Sequence, residues 1–189
     1  MGVREQRKHE NGAGGEGAVQ QPVRTDDERE AILVRWMTDY KTSLMRMACL
    51  YLGDRALAED AVQETFLRAW RRMDTFRGDS GEKTWLIRIA VNVCSDVRRT
   101  AWMRHVRQPL SACPEPARED QYRDDTVARA VTALPPRDRQ MILLRFYQEL
   151  KVKEIAQVLN IGEACAASRL HRAEKKLAAA LKGWYFDED

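Results

Sequence analysis

Apolar residues recur every three or four positions through nearly every long segment of this chain, and nowhere do they alternate steadily with polar ones. A segment with that period buries one continuous face only as an α-helix, whereas a half-buried strand needs a period of two. Strands are therefore not expected, and the chain reads as all-α. Leu33, Trp36, Met37, Tyr40, Leu44, Met47 and Tyr51 mark one apolar face from about Asp27 onward. Gly53 is a plausible stop, and Asp54 offers an N-cap to a second helix near Arg55 to Met73. Val62, Phe66, Ala69 and Trp70 face inward there. A turn-rich DTFRGDSGE stretch follows, then a third helix over about Lys83 to Met103, with Leu86, Ile89, Ala90, Val93 and Val97 as its buried stripe.

The pattern breaks over 108–125, where Pro109, Pro114 and Pro116 forbid a regular helix. Charge flips there too: Glu115, Glu119, Asp120, Asp124 and Asp125 stand against Arg118 and Arg123. This reads as a flexible acidic linker between two small helical domains, 27–107 and 126–182, with a disordered leader at 1–26 and a tail at 183–189. Helices resume at Thr126. Pro135 and Pro136 can open one of them, since early helix positions need no amide donor; Met141, Leu144 and Phe146 fall inside it. Then come a short helix, a tight turn at Asn160–Gly162 and a second helix near Glu163 to Leu181. Ile155, Ala156, Leu159 and Ile161 can pack against Ala166, Leu170, Ala173 and Leu177, with small alanines permitting a close crossing. That is helix-turn-helix spacing.

Composition closes several other doors. Hydrophobic residues make up 44%, enough for a core, and the formal charge is only +3. No apolar run approaches the roughly 18 residues a membrane span needs, and no export signal precedes the first helix; a cytoplasmic protein is expected. Cys49, Cys94, Cys113 and Cys165 form no C-x-x-C pair, and His9, His105 and His171 are scattered. Neither a metal site nor a disulfide framework is expected. Cys49, Cys94 and Cys165 fall in helical patterns and read as buried thiols. No nucleophile constellation or phosphate-binding glycine loop points to an enzyme, a cofactor or a small-molecule substrate.

Three faces could carry function. On the last helix Ala167, Ser168, His171, Arg172 and Lys175 form a polar, basic stripe opposite the apolar one, a face suited to the major groove. The stretch 77–107 holds seven basic residues against three acidic ones. Within it Trp85, Arg88 and Asn92 keep near one side of the third helix. An aromatic ring beside cationic and amide groups can stack and hold an unpaired base, although Trp85 borders Leu86 and Ile89 and suits a core equally. On the second helix Asp60, Gln63 and Glu64, extended by Leu67, make an acidic-polar face that could be plain solvated surface or a dock for a basic partner helix.

AEDAVQETFLRAW, DTFRGDSGEKTWLIRIAVNVCSDVRR and LPPRDRQMILLRFYQELKVKEIAQVLNIGEACAASRLHRAEKKL together resemble a bacterial sigma factor of the small extracytoplasmic function (ECF) group, over about Asp27 to Lys182. The resemblance implies a promoter-specificity subunit whose partners are core RNA polymerase (the β′ clamp helices and β flap), promoter DNA and an anti-sigma factor. A membrane-bound anti-sigma factor would hold it at the inner face of the membrane. It assigns Asp60, Gln63, Glu64 and Leu67 to polymerase docking. It assigns Phe76, Arg77, Gly78, Asp79, Ser80, Lys83, Trp85, Arg88 and Asn92 to the −10 element and its flipped base. Ser168, Arg169, His171, Arg172 and Lys175 fall to the −35 element. The alternative is a helix-turn-helix regulator that never joins polymerase. One departure stands out: where relatives commonly carry Gly-Thr-Val-Lys or Gly-Thr-Val-Arg, this chain has Ala164-Cys165-Ala166-Ala167. A basic phosphate contact is thereby lost at Ala167.

Overall fold

Thr25 opens the first helix. Its hydroxyl accepts from the Glu28 amide at 3.3 Å, and the Glu28 carboxylate accepts from the Thr25 amide at 2.8 Å, a capping box. The computed structural model describes residues 25–76, 81–104 and 125–185. Helix α1 is Asp26–Leu52, with Asp26, Asp27 and Glu28 against the positive end of its dipole. Gly53 ends it at φ 72°, a left-handed conformation that glycine adopts without steric cost. Asp54 then caps α2 (Arg55–Arg71), its side chain accepting from the Leu57 amide at 2.9 Å.

A 3₁₀ turn at Met73–Thr75 follows, then α3 (Glu82–Arg104), α4 (Asp125–Ala133) and α5 (Pro136–Ile142). The chain continues through a π turn at Leu143–Tyr147 into α6 (Val152–Leu159) and α7 (Glu163–Tyr185). Among the described residues there is no strand, and no helix is long and apolar enough to cross a membrane.

Helices α1, α2 and α3 pack mutually around Trp36, Leu44, Phe66, Leu86 and Val93. Helices α4 to α7 gather around Ile142, Leu144, Ile155, Ala166 and Ala173. The two groups do not stand apart. Helix α3 lies on α6, and α1 lies on α4, α5 and the π turn, so the buried residues form one continuous core. A second apolar stripe on α3 is buried as well. Besides the expected Leu86, Ile89, Ala90 and Val93, the residues Ile87, Val91 and Cys94 are also buried. Val91 and Cys94 line an apolar cleft with Met47 and Tyr51 of α1 and with Leu143 and Leu144.

Arg139, on α5, reaches across this junction. Its guanidinium donates to the carbonyls of Tyr51 at 3.0 Å and Leu50 at 3.4 Å, and also to Leu134 at 3.2 Å and to Thr132. The last turns of α1 and α4 contain no basic residue of their own. One cation thus serves the negative ends of two helices, one from each half. Burial pushes the Arg139 guanidinium below its usual range. Gln148, also buried, donates its amide to the Ser43 carbonyl at 2.9 Å.

Some expectations need correction. Met37 keeps helical register with the α1 core face, yet it is exposed. It follows the fully buried Trp36 by one residue, about 100° round the helix, where no other element covers it. Phe146, inside the predicted helix, is 56% exposed because it points outward from the π turn. Cys165 is exposed rather than buried, while Cys94 is buried and Cys49 is half-buried; Cys113 lies outside the described residues. Burial pushes the Cys94 thiol up to about 12, so it stays protonated at neutral pH and is a poor nucleophile. The turn of the helix-turn-helix depends on Asn160, at φ 51°, rather than on Gly162. Asparagine tolerates that left-handed conformation, and the following Ile161 amide closes back on the Ala156 carbonyl at 3.0 Å.

Candidate polymerase and nucleic-acid interfaces

Helix α2 buries Ala58, Ala61, Val62, Thr65, Phe66 and Ala69. Its 3.6-residue period therefore turns Asp60, Gln63, Glu64 and Leu67 outward together. Asp60, Gln63 and Leu67 are exposed, Leu67 at 51%, and Glu64 is half-buried. Sequence reasoning missed what steadies this ridge. Arg68, one turn on, donates to Glu64 at 2.7 Å and reaches Asp96 of α3 at 3.5 Å, which in turn accepts from Arg99 at 3.0 Å. The hydrogen bond to Glu64 raises the Arg68 guanidinium above its usual range. An exposed leucine bordered by two carboxylates, that of Glu64 fixed by Arg68, and by an amide offers both apolar contact and acceptors to a basic helix.

The start of α3 is built on aromatic packing. Trp36 is fully buried, and its ring centroid lies 5.5 Å from that of Trp85; that of Phe76 lies 5.3 Å from Trp85. Such tilted pairs add about 0.5–1.5 kcal/mol each beyond burial. Trp85 is half-buried: one part joins this cluster and the rest faces solvent. The two readings of Trp85 are thus both satisfied. Two ion pairs tie the surrounding backbone to α1. Arg35 donates twice to Glu82 at 2.7 Å, and Arg29 donates to Asp74 and to the Trp70 carbonyl at 3.0 Å.

Arg88 sits one turn beyond Trp85, half-buried, and its Nε is buried with no acceptor among the described residues. Asn92 is exposed a further turn along, and Lys83 is half-buried at the start. Aromatic edge, guanidinium and amide therefore share one side of α3. Phe76 closes the row, while Arg77, Gly78, Asp79 and Ser80 lie outside the described residues.

In the helix-turn-helix, Ala166, Leu170 and Ala173 are buried against α5 and α6. The opposite side of α7 exposes Ala164, Cys165, Ala167, Ser168, His171, Arg172 and Lys175, with Arg169 half-buried at the border. Arg172 folds back to donate to the Ser168 carbonyl at 3.3 Å. Lys176 is held by Asp138 of α5 at 2.5 Å, so it braces the helix rather than extending the stripe. The first turn of α7 carries only small side chains and Glu163, and cationic groups begin at Arg169. Among the described residues no group of three or more His, Cys, Asp or Glu side chains could hold a metal ion.

Residues 36–104 match the family Sigma-70 region 2, and residues 124–177 match Sigma-70, region 4. The ECF RNA polymerase sigma factor SigL of Mycobacterium tuberculosis is 35% identical over 162 residues, covering 81% of this chain and 91% of that protein. RNA polymerase sigma factor SigV of Bacillus subtilis is 31% identical over 153 residues, covering 80% and 92%. Among solved structures, the sigma factor RpoE of Bartonella quintana, in complex with the anti-sigma factor NepR, gives a TM-score of 0.69 at 23% identity. That likeness covers 80% of this chain and 97% of that one, and at such identity it speaks to fold alone.

Proposed function

We infer the working parts of this protein from its kinship: the chain belongs to the sigma-70 family, in the ECF group of RNA polymerase sigma factors. It is a non-enzymatic promoter-specificity subunit that binds core RNA polymerase and promoter DNA, and the polymerase supplies the catalysis. Its place of work is the cytoplasm, with transcription.

Within that role we assign the ridge of Asp60, Gln63, Glu64 and Leu67 to the β′ clamp helices of polymerase. The row of Phe76, Lys83, Trp85, Arg88 and Asn92, with residues 77–80, takes the −10 element and an unstacked base. The outward stripe of α7 takes the −35 element, and the C-terminal half also meets the β flap. An anti-sigma factor restrains the chain, in line with the inhibitor bound to the Bartonella relative; when that inhibitor is membrane-bound, the chain waits at the inner face. The observation that carries the reading is one chain bearing both regions in order, with an acidic-polar ridge and two basic faces that each reach solvent at least in part.

Comigration with core polymerase tests it. The wild-type chain is expected to elute with the enzyme and direct run-off transcription from a cognate promoter. Asp60→Ala with Glu64→Ala is expected to weaken core binding about tenfold or more, since each removes a charge from a partly desolvated contact. Unchanged affinity in that double variant would remove the ridge from the docking surface. A second expectation concerns α7. Ala167→Arg adds one phosphate contact, so the plot of log affinity against log salt for a −35 duplex steepens by about one unit. An unaltered slope in a fluorescence anisotropy titration would mean that position 167 does not face the backbone.

A further inference from the structure

Helix termini fray unless something holds them. The core grips α3 from Thr84 and Leu86 onward, both buried. The turn at its start carries Glu82 and Lys83, half-buried, and ends at Trp85, whose amide donates to the Gly81 carbonyl at 3.1 Å. Two adjacent residues of α1 tie that turn down. Arg35 meets Glu82, and Trp36 meets Trp85.

The Arg35 contact is a fork. One guanidinium nitrogen donates to each carboxylate oxygen of Glu82, both at 2.7 Å. Such a pair fixes direction as well as distance. Glu82 and Trp85 are three residues apart, about 4.5 Å along the α3 axis. Two contacts at that spacing set the rotation of the turn, which a single ring contact leaves free. Stability does not call for the fork. Its side chains are 49% and 30% exposed, and ion pairs so open to water add little to folding. Glu82 lies in the first turn of α3, where its charge suits the helix dipole without help from Arg35. A second brace serves Phe76, the other ring partner of Trp85. Arg29, six residues before Arg35, pairs with Asp74 in the turn that leads to Phe76 and donates to the Trp70 carbonyl at 3.0 Å. Its guanidinium also lies 4.8 Å from the Trp70 ring centroid.

We propose that Arg35 is a positioning residue for promoter reading: through its fork on Glu82 it holds the first turn of α3 in the rotation that presents the open edge of Trp85, with Lys83 and Arg88, to an unstacked base. Arg35 acts through Glu82 on the residues that meet the base and does not meet it itself. The inference rests on the −10 assignment above and deepens it.

Transcription by the holoenzyme, assembled with the full-length chain, from a barcoded template pool randomised over both promoter elements tests it, with the products sequenced. The wild type is expected to favour one base at the unstacked position of the −10 element. Arg35→Ala is expected to flatten that preference about fivefold. It leaves the −35 preferences, core-polymerase affinity and helical signal unchanged. Glu82→Ala does the same, and the double variant loses no more than either single one, because all three remove one contact. A −10 preference kept in Arg35→Ala overturns the proposal. So does an equal loss at both elements, the mark of a weakened fold, and so does an additive loss in the double variant. Arg35→Lys keeps the charge without the fork, and complete recovery by it overturns the fork as the cause. If Glu82→Ala loses helix, the decision rests with Arg35→Ala and Arg35→Lys. Arg88→Ala separates the proposal from the reading beneath it. A −10 preference lost in Arg88→Ala but kept in Arg35→Ala sinks the positioning role alone. A wild type with no −10 preference sinks the −10 assignment, and the positioning role with it.

Discussion

Arg88→Ala combined with Asn92→Ala is expected to reduce promoter opening about a hundredfold while leaving core-polymerase affinity and helix content unchanged. Arg88 is half-buried, and its Nε has no acceptor among the described residues. Asn92 is exposed on the same side of α3. Neither supports the core, so removing them costs the fold little. On the proposed assignment each holds an unpaired base or its phosphate, and such contacts are worth about 1–3 kcal/mol apiece. Two of them together change a rate by about two orders of magnitude. Permanganate reactivity of unpaired thymines near the start site reads opening directly, and run-off product reads its consequence. Full opening in the double variant would detach α3 from the −10 element.

Leu86→Ala is expected to destabilise the protein by about 3 kcal/mol, lowering the thermal midpoint by roughly 10 °C. Leu86 has no exposed surface and lies where α3 meets α1 and α2. Truncation loses its transfer energy and leaves a cavity that rigid neighbours cannot fill. Leu67→Ala, on a side chain 51% exposed, is the control. It is expected to leave stability within about 0.5 kcal/mol of wild type and to weaken polymerase binding instead. Equal thermal shifts in the two variants would contradict this division between core and ridge.

Much of the architecture was legible because its causes are local. Helix period, the Asp54 cap, the Gly53 stop and the helix-turn-helix spacing all act within a few residues, and the structure follows them. Trp85 was ambiguous for a physical reason: a ring that is half core and half surface satisfies both descriptions. What stayed hidden depends on partners distant in sequence. Val91 and Cys94 lie on a fair stripe of α3, but nothing local says that Leu143 and Leu144 of a second group of helices will line the same cleft. Arg139 looks like any helical cation until the ends of α1 and α4 meet around it. Arg68 and Asp96 are ordinary surface charges until α2 and α3 are laid side by side. Met37 and Cys165 mark the converse limit, since periodicity ranks faces without saying how wide the covered sector is.

The doubled greasy coat of α3 has a price in solubility. Were the two groups of helices to part, Val91 and Cys94 would lie bare to water, and a hydrophobic strip of that kind invites other copies to clump on it. The contact between the two groups therefore also keeps the molecule from clumping with its own kind.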